Sequence, residues 1–233
     1  MGRTVKILGR MNSYDRALLK IKDQILVLSD LVGQQLSQAM QSFIGQNEDL
    51  AKNVIRCDDE IDNRDARLEL DALELITIQQ PVVQDLRFLS AAIRVSHELE
   101  RISDYACDIA EITLRLQTKG EWFKPLIDLP RMVEVVQGML HKSILAYQEQ
   151  NLTLAGELDD DDTVVDGFYI KLYEELTLYI KNNPDSVEQA FSILLVVRYL
   201  ERIADHAVNV GEMVIFAATG ERHPFKGKVD SAG

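Results

Sequence analysis

The sequence predicts an all-α protein built as two tandem, pseudo-symmetric three-helix bundles, and three observations predict it. The first is an internal repeat: Leu99-Glu100-Arg101-Ile102-Ser103-Asp104-Tyr105-Ala106 returns 101 residues later as Leu200-Glu201-Arg202-Ile203-Ala204-Asp205-His206-Ala207. Aligning 98–112 with 199–213 gives seven identities in fifteen, ending on Glu111 and Glu212. A repeat this long implies two similar halves, one over 12–119 and one over 126–220. The second observation is sparse punctuation: five prolines and twelve glycines in 233 residues, with none of the two-residue alternation that marks strands. The third is apolar spacing of three and four residues over long stretches, the signature of helices with one buried face.

The first helix is expected from Ser13, a plausible N-cap, to about Phe43, with Leu18, Ile21, Ile25, Leu28, Leu31, Val32, Leu36, Met40 and Phe43 as its buried stripe. Gly45-Gln46-Asn47 breaks it. A second helix follows over about 48–76, with Asp58, Glu60 and Asp62 interrupting its middle. Pro81 opens a third, since a missing N–H is harmless at a helix start. Running to about 118, it would form a rod of ~55 Å at 1.5 Å per residue. Rods this long imply near-antiparallel neighbours in a bundle. A linker over 119–125 leads to a fourth helix over about 129–148 and a fifth over 152–181. Asn183-Pro184, with Asn183 as cap, opens a sixth that ends near Gly220. Residues 222–233 read as a tail.

Composition narrows the function. The formal charge is −13 and the pI near 4.8, which excludes a nucleic-acid footprint and favours cations or a basic partner. No apolar run reaches the ~18 residues of a membrane span, and residues 1–10 lack the apolar core of a signal peptide. Cys57 and Cys107 form neither a CxxC pair nor a disulfide framework. They read as core or boundary residues, and the compartment as the cytoplasm.

Each repeat carries carboxylates at i and i+4, Glu100/Asp104 and Glu201/Asp205, on one helix face. A second pair precedes each: Asp58/Asp62 in the first half and Asp162/Asp166 in the second, 104 residues apart. Helices in a hairpin lie ~8–10 Å apart, so facing pairs can share cations. Bundle sites for iron or manganese are built this way. One i,i+4 acid pair in so acidic a chain is normally solvated surface, and Arg101 and Arg202 could form ordinary ion pairs worth ~0–1 kcal/mol. Recurrence of both pairs, in both halves and in the same order, favours a site. Oxygen-only donors suit magnesium, calcium, manganese or a carboxylate-bridged iron cluster, whereas zinc more often brings His or Cys. No histidine completes a helical Glu-x-x-His, which disfavours a di-iron oxidase. His206 stands opposite Tyr105 in the repeat, and a supporting or surface role suits it better than a catalytic one. Asp108/Glu111 and Asn209/Glu212 extend the acidic face as outer ligands or as salt-bridge partners. Tyr169, Tyr173 and Tyr179 read as packing.

Residues 80–88 (Gln-Pro-Val-Val-Gln-Asp-Leu-Arg-Phe) with 98–104 resemble the first half of PhoU proteins, and residues 198–212 resemble the second half more specifically. The likeness runs from about Tyr14 to Gly220. It implies the tandem three-helix fold and metal clusters held by Glu100/Asp104 and Glu201/Asp205, with Asp58/Asp62 and Asp162/Asp166 as partners. Iron, manganese, magnesium or zinc would be the ion. Ser103-Asp104-Tyr105 departs from the Gly-Asp-His expected there but keeps the carboxylate. The resemblance further implies a dimeric, non-enzymatic, cytoplasmic accessory protein of phosphate uptake. Such a protein acts as a negative regulator between a phosphate ABC transporter, through its ATPase subunit, and a sensor histidine kinase. The competing reading is an all-helical metal-dependent phosphohydrolase. That reading lacks a phosphate cradle, Arg101 and Arg202 being the only obvious cations.

Overall fold

The computed structural model describes residues 12–116, 122 and 128–221. The basic start over 1–10, the tail over 222–233, most of the linker and the boundaries at 119 and 126 lie outside the described residues. Helices α1 (Ser13–Ile44), α2 (Glu48–Gln79) and α3 (Val83–Arg115) form the first bundle. The second contains α4 (Asp128–Glu149), α5 (Leu152–Gly156), α6 (Leu158–Asn182) and α7 (Val187–Thr219), with a 3₁₀ turn over Pro184–Ser186. Helices α5 and α6 together stand where α2 stands in the first half. No strand occurs among the described residues, and no helix is long and apolar enough to cross a membrane.

The repeat extends to the turns. Gln46 and Gln150, 104 residues apart, both adopt the left-handed conformation, with φ of 49° and 53°. Asn47 and Asn151 then cap α2 and α5 with their side-chain oxygens, Asn47 on the N–H of Leu50 and Asn151 on those of Thr153 and Leu154. Their own N–H groups bond Ser42 and Ala146 at 2.8 and 2.9 Å. Because each cap satisfies an otherwise orphaned helix N–H, Asn47→Ala is expected to cost about 1 kcal/mol. Urea unfolding of the two proteins checks this, and an unchanged midpoint would refute it.

Several boundaries differ from expectation for local reasons. The cap of α1 is Asn12, whose side chain accepts from the N–H of Asp15 at 2.8 Å, so Ser13 is the first helical residue. Helix α2 is not interrupted at Asp58–Asp62, because Val54, Ile61, Leu68 and Ala72 keep one buried stripe through the acidic segment. Pro81 does not open α3. Gln80, at φ 45°, ends α2, and an extended Val82 precedes α3, which leaves Pro81 in the turn. The fifth predicted helix divides at Glu157. Asn183 does not cap the 3₁₀ turn or α7, since its side-chain amide donates to Tyr179 O at 3.1 Å and closes α6 instead. Cys57 is exposed and Cys107 half-buried. In the linker, Trp122 donates to Ile44 O at 3.1 Å and packs its ring 5.0 Å from Phe43.

Within each half the repeated motif supplies the core: Leu99, Ile102 and Ala106, and equally Leu200, Ile203 and Ala207, are fully buried. Between the halves, α3 packs on α7 and α1 on α4, while the backbones of α2, α5 and α6 make no close approach to the opposite half among the described residues. The α3–α7 pairing is antiparallel. Glu98 meets His206, with Glu98 Oε2 2.6 Å from His206 Nδ1, and Tyr105 meets Tyr199 with ring centroids 5.6 Å apart. Applying the 101-residue repeat to one contact produces the other, so a pseudo-two-fold axis passes between the two helices. Tyr105 and His206, which occupy the same place in the repeat, meet beside it at 5.6 Å.

Candidate metal centre

The eight predicted carboxylates form two seams, each on a helical hairpin. Asp58 and Asp62 on α2 face Asp104 on α3, while Glu100 has Asp65 as its carboxylate neighbour on α2. Asp162 and Asp166 on α6 face Glu201 and Asp205 on α7. Glu100 and Glu201 are largely buried, Asp104 and Asp205 are partly exposed, and Asp62 and Asp166 lie at the open edge. Among the described residues, no three His, Cys, Asp or Glu side chains converge on one ion position. The carboxylates close to arginines instead. Arg101 reaches Asp104 at 2.7 Å, Arg198 reaches Glu201 at 2.7 Å, and Arg202 reaches Asp205 at 3.4 Å.

Crowding nevertheless shows in the acidities. In the second seam, burial and then Asp166, Asp205 and Glu201 push Asp162 up to about 7. Burial and Asp205 raise Asp166, while burial and Asp205 raise Glu201 against the pull of Arg198 and Arg202. In the first seam, desolvation and then Asp58 and Asp104 raise Asp62. Burial and Asp104 raise Glu100, and burial raises Asp104 against Arg101. Each seam therefore couples carboxylates across two helices, where ionised groups repel one another. One oxygen in each seam, Glu100 Oε2 and its repeat equivalent Glu201 Oε2, is buried without a hydrogen bond; the basic groups beside them are His97 Nδ1 at 3.4 Å and Arg202 Nε at 3.8 Å. An anionic oxygen out of water with no hydrogen bond is poorly satisfied by so loose an ion pair, and a bound cation would complete it. The oxygen-only donor set and the two equivalent orphaned oxygens fit a hard cation.

The floors beneath the seams differ. Under the first, Ser103 Oγ stands 2.6 Å from Asp58 Oδ1 and 2.5 Å from Gln35 Oε1. The Gln35 amide donates to Asp58 at 3.3 Å and to Val54 O at 3.2 Å, and lies 3.3 Å from Cys107 Sγ. At the equivalent places under the second seam stand Met139, Ala204 and Val208, all buried and apolar.

Sequence reasoning missed Glu98. It leads from α3 to α7, where Asn209 Nδ2 also donates to it at 3.0 Å, and, although burial raises its pKa, the hydrogen bonds with His206 and Asn209 hold it below the ordinary glutamate value. His206 thus joins the two halves. The signal lay in the repeat's mismatches: Glu98/Tyr199, Tyr105/His206 and Asp108/Asn209 differ between copies because each pair faces its counterpart across the pseudo-axis. Asn209 serves Glu98 and Glu111 pairs with Arg115, so neither is placed as an outer ligand. Tyr169 stacks on Tyr173 at 6.4 Å and carries Arg198 at 5.6 Å over its ring, a packing role that also steers the arginine held by Glu201.

Comparison with known proteins agrees with this architecture. The PhoU domain model matches residues 25–113 and 129–214, once in each half. A phosphate-specific transport system accessory protein PhoU homolog from Zymomonas mobilis is 32% identical over 224 residues, covering 96% of this chain and 92% of its own length. PhoU homolog 1 from Methanothermobacter thermautotrophicus is 35% identical over 184 residues, covering 79% of this chain and 84% of its own. Among solved structures, PhoU from Pseudomonas aeruginosa superposes with a TM-score of 0.85 at 27% identity, over 90% of this chain and all of its own. The phosphate transport system regulatory protein PhoU from Streptococcus pneumoniae also gives 0.85, at 25% identity, over 91% of this chain and all of its own. With both halves matched and the likeness running nearly end to end, the chain belongs to the PhoU family.

Proposed function

We propose that the chain is a non-enzymatic accessory protein of phosphate transport that binds hard cations in its two acidic seams. We further propose that it acts in the cytoplasm, as a dimer, as a negative regulator between a phosphate ABC transporter's ATPase subunit and a sensor histidine kinase. Family membership and the names of the relatives support the transport role. The observation that carries cation binding is the pair of equivalent buried oxygens that make no hydrogen bond, Glu100 Oε2 and Glu201 Oε2, each with only a loose ion pair beside it. A hydrolytic role is disfavoured by the arginines. Those that would have to hold a phosphoryl group are already engaged, Arg101 by Asp104 and Arg202 by Asp205.

Thermal melts of EDTA-treated protein test the cation reading. Manganese, iron or magnesium added to wild type is expected to raise the melting temperature, because a ligand that binds only the folded chain stabilises it by mass action. In Glu201→Ala/Asp205→Ala the metal-free protein should melt at or above wild type, relieved of repulsion, and should lose most of the metal-induced gain. If metal shifts neither protein, the seams are merely repulsive surface.

A further inference from the structure

We infer that Gln35 and Ser103 are positioning residues for Asp58, which make the first seam a pre-organised cation site and leave the second an adaptable one. The inference rests on the cation reading above and extends it to side chains that touch no ion themselves.

The two seams share four carboxylates at the same repeat positions, with Asp65 beside Glu100 in the first where Tyr169 stands in the second, and they rest on different floors. Ser103 is fully buried and Gln35 almost so. Burying two polar side chains in a helical core is unfavourable unless their hydrogen bonds are made, and here they are made to one another and to Asp58. The Ser103 hydroxyl has a single proton, which can go to Asp58 Oδ1 at 2.6 Å or Gln35 Oε1 at 2.5 Å. The Gln35 amide also spans Asp58, Val54 O on the backbone of α2 and Cys107 Sγ. One oxygen of Asp58 is therefore tied to α1, through Gln35, and to α3, through Ser103, while the carboxylate itself belongs to α2. All three helices of the bundle fix its orientation.

In the second seam the repeat puts Met139 and Ala204, both buried, at the places of Gln35 and Ser103, and their side chains offer no donor. The charged groups around the Asp162 carboxylate are themselves carboxylates, Asp166, Asp205, Glu201 and Asp159. Hydrogen bonds that orient a ligand from behind change metal affinity by roughly 10–100-fold, because they remove the ordering that binding would otherwise impose. The first seam, whose Glu100 also lacks an arginine ion pair like that of Arg198 with Glu201, is the tighter site for a small hard divalent ion such as Mn²⁺.

Titration of the EDTA-stripped full-length chain with Mn²⁺, read by the electron paramagnetic resonance signal of free Mn²⁺, tests this. Wild type is expected to show two classes of site, and Glu201→Ala should remove the weaker class. Gln35→Met/Ser103→Ala, which copies the second floor under the first seam, should weaken the tight class at least tenfold and leave the other unchanged. Ser103→Thr, which keeps the hydroxyl, should retain it. The reciprocal Met139→Gln/Ala204→Ser should tighten the weak class, a gain that damage to the fold cannot produce. The inference is overturned if wild type binds Mn²⁺ but neither exchange shifts a class, or if Glu201→Ala removes the tight class. Absence of any Mn²⁺ binding to wild type would instead overturn the cation reading, and this inference with it.

Discussion

Replacing Asp162 by Asn is expected to stabilise the cation-free protein at pH 7.5 and to leave it nearly unchanged at pH 4. In the folded chain Asp162 is pushed from the ordinary 3.8 up to about 7, first by burial and then by Asp166, Asp205 and Glu201. The direction of the effect follows from proton counting. Between about 4 and 7 the folded chain holds a proton on this group that the unfolded chain has already lost. The group's contribution to stability is thus fully present in acid and is lost as the pH rises through that window. Above it, the folded protein carries a crowded charge. Each tenfold change in acidity corresponds to ~1.4 kcal/mol, but the side chain is only about half buried, and solvent screening reduces the effect to roughly 1–2 kcal/mol. Asparagine keeps the shape and has a similar helix propensity. Urea unfolding at pH 4, 5.5 and 7.5 should show wild type losing stability toward neutrality along a steeper slope than Asp162→Asn. Parallel slopes would mean that the seam does not hold Asp162 protonated.

The second large effect concerns the close approach of α7 to the junction of α5 and α6. A Cβ built on Gly211 would stand 2.6 Å from Leu158 Cδ1 and 3.2 Å from the backbone oxygen of Ala155. Leu158 is fully buried and cannot swing out to solvent. Gly211→Ala should therefore destabilise by ~1–3 kcal/mol through overpacking, partly offset by the ~0.5–1 kcal/mol that alanine gains over glycine in a helix. At the equivalent places the first half has Ala110 and Val54, a larger residue on one helix against a smaller one on the other. Copying that pair into the second half as Gly211→Ala/Leu158→Val should recover stability relative to the sum of the single changes. A double-mutant cycle in urea should show a favourable coupling of about 1 kcal/mol or more. Additive losses would show that Leu158 is not the residue excluding a side chain at 211.

These pairs also show how much of the molecule is legible in the sequence. The helices follow from apolar spacing, and the four acidic pairs from their recurrence, because both are properties of a single helix face. Boundaries decided by one side chain are different. Asn183 and Pro81 carry the right chemistry for a helix start, but Asn183 turns its amide back to Tyr179 O, and Gln80 in the left-handed region places Pro81 outside α3. Docking of the halves was further out of reach. A repeat says that two units are alike and nothing of how they meet, so Glu98, with no equivalent carboxylate at Tyr199, carries no sign of its role in the sequence. Its role depends on His206 and Asn209 arriving from a helix more than a hundred residues away. The floor of Gln35 and Ser103 was hidden for the same reason, since three helices must assemble before those side chains share a site.

The antiparallel contact of α3 with α7 has a consequence for anything that approaches the protein. A two-fold axis that exchanges two antiparallel helices runs perpendicular to the plane they define, so it carries a seam on one side of that plane to a seam on the same side. In the register set by Glu98 and His206, Glu100 falls one residue from the level of Asp205 and Asp104 one residue from that of Glu201. The two seams thus open side by side on one face, with the α1–α4 contact on the other. A rigid surface that engages one seam is held within reach of the second, where its effective concentration depends on the fixed spacing of two helices and not on diffusion. Avidity of this kind exceeds either single contact and disappears when either seam is removed.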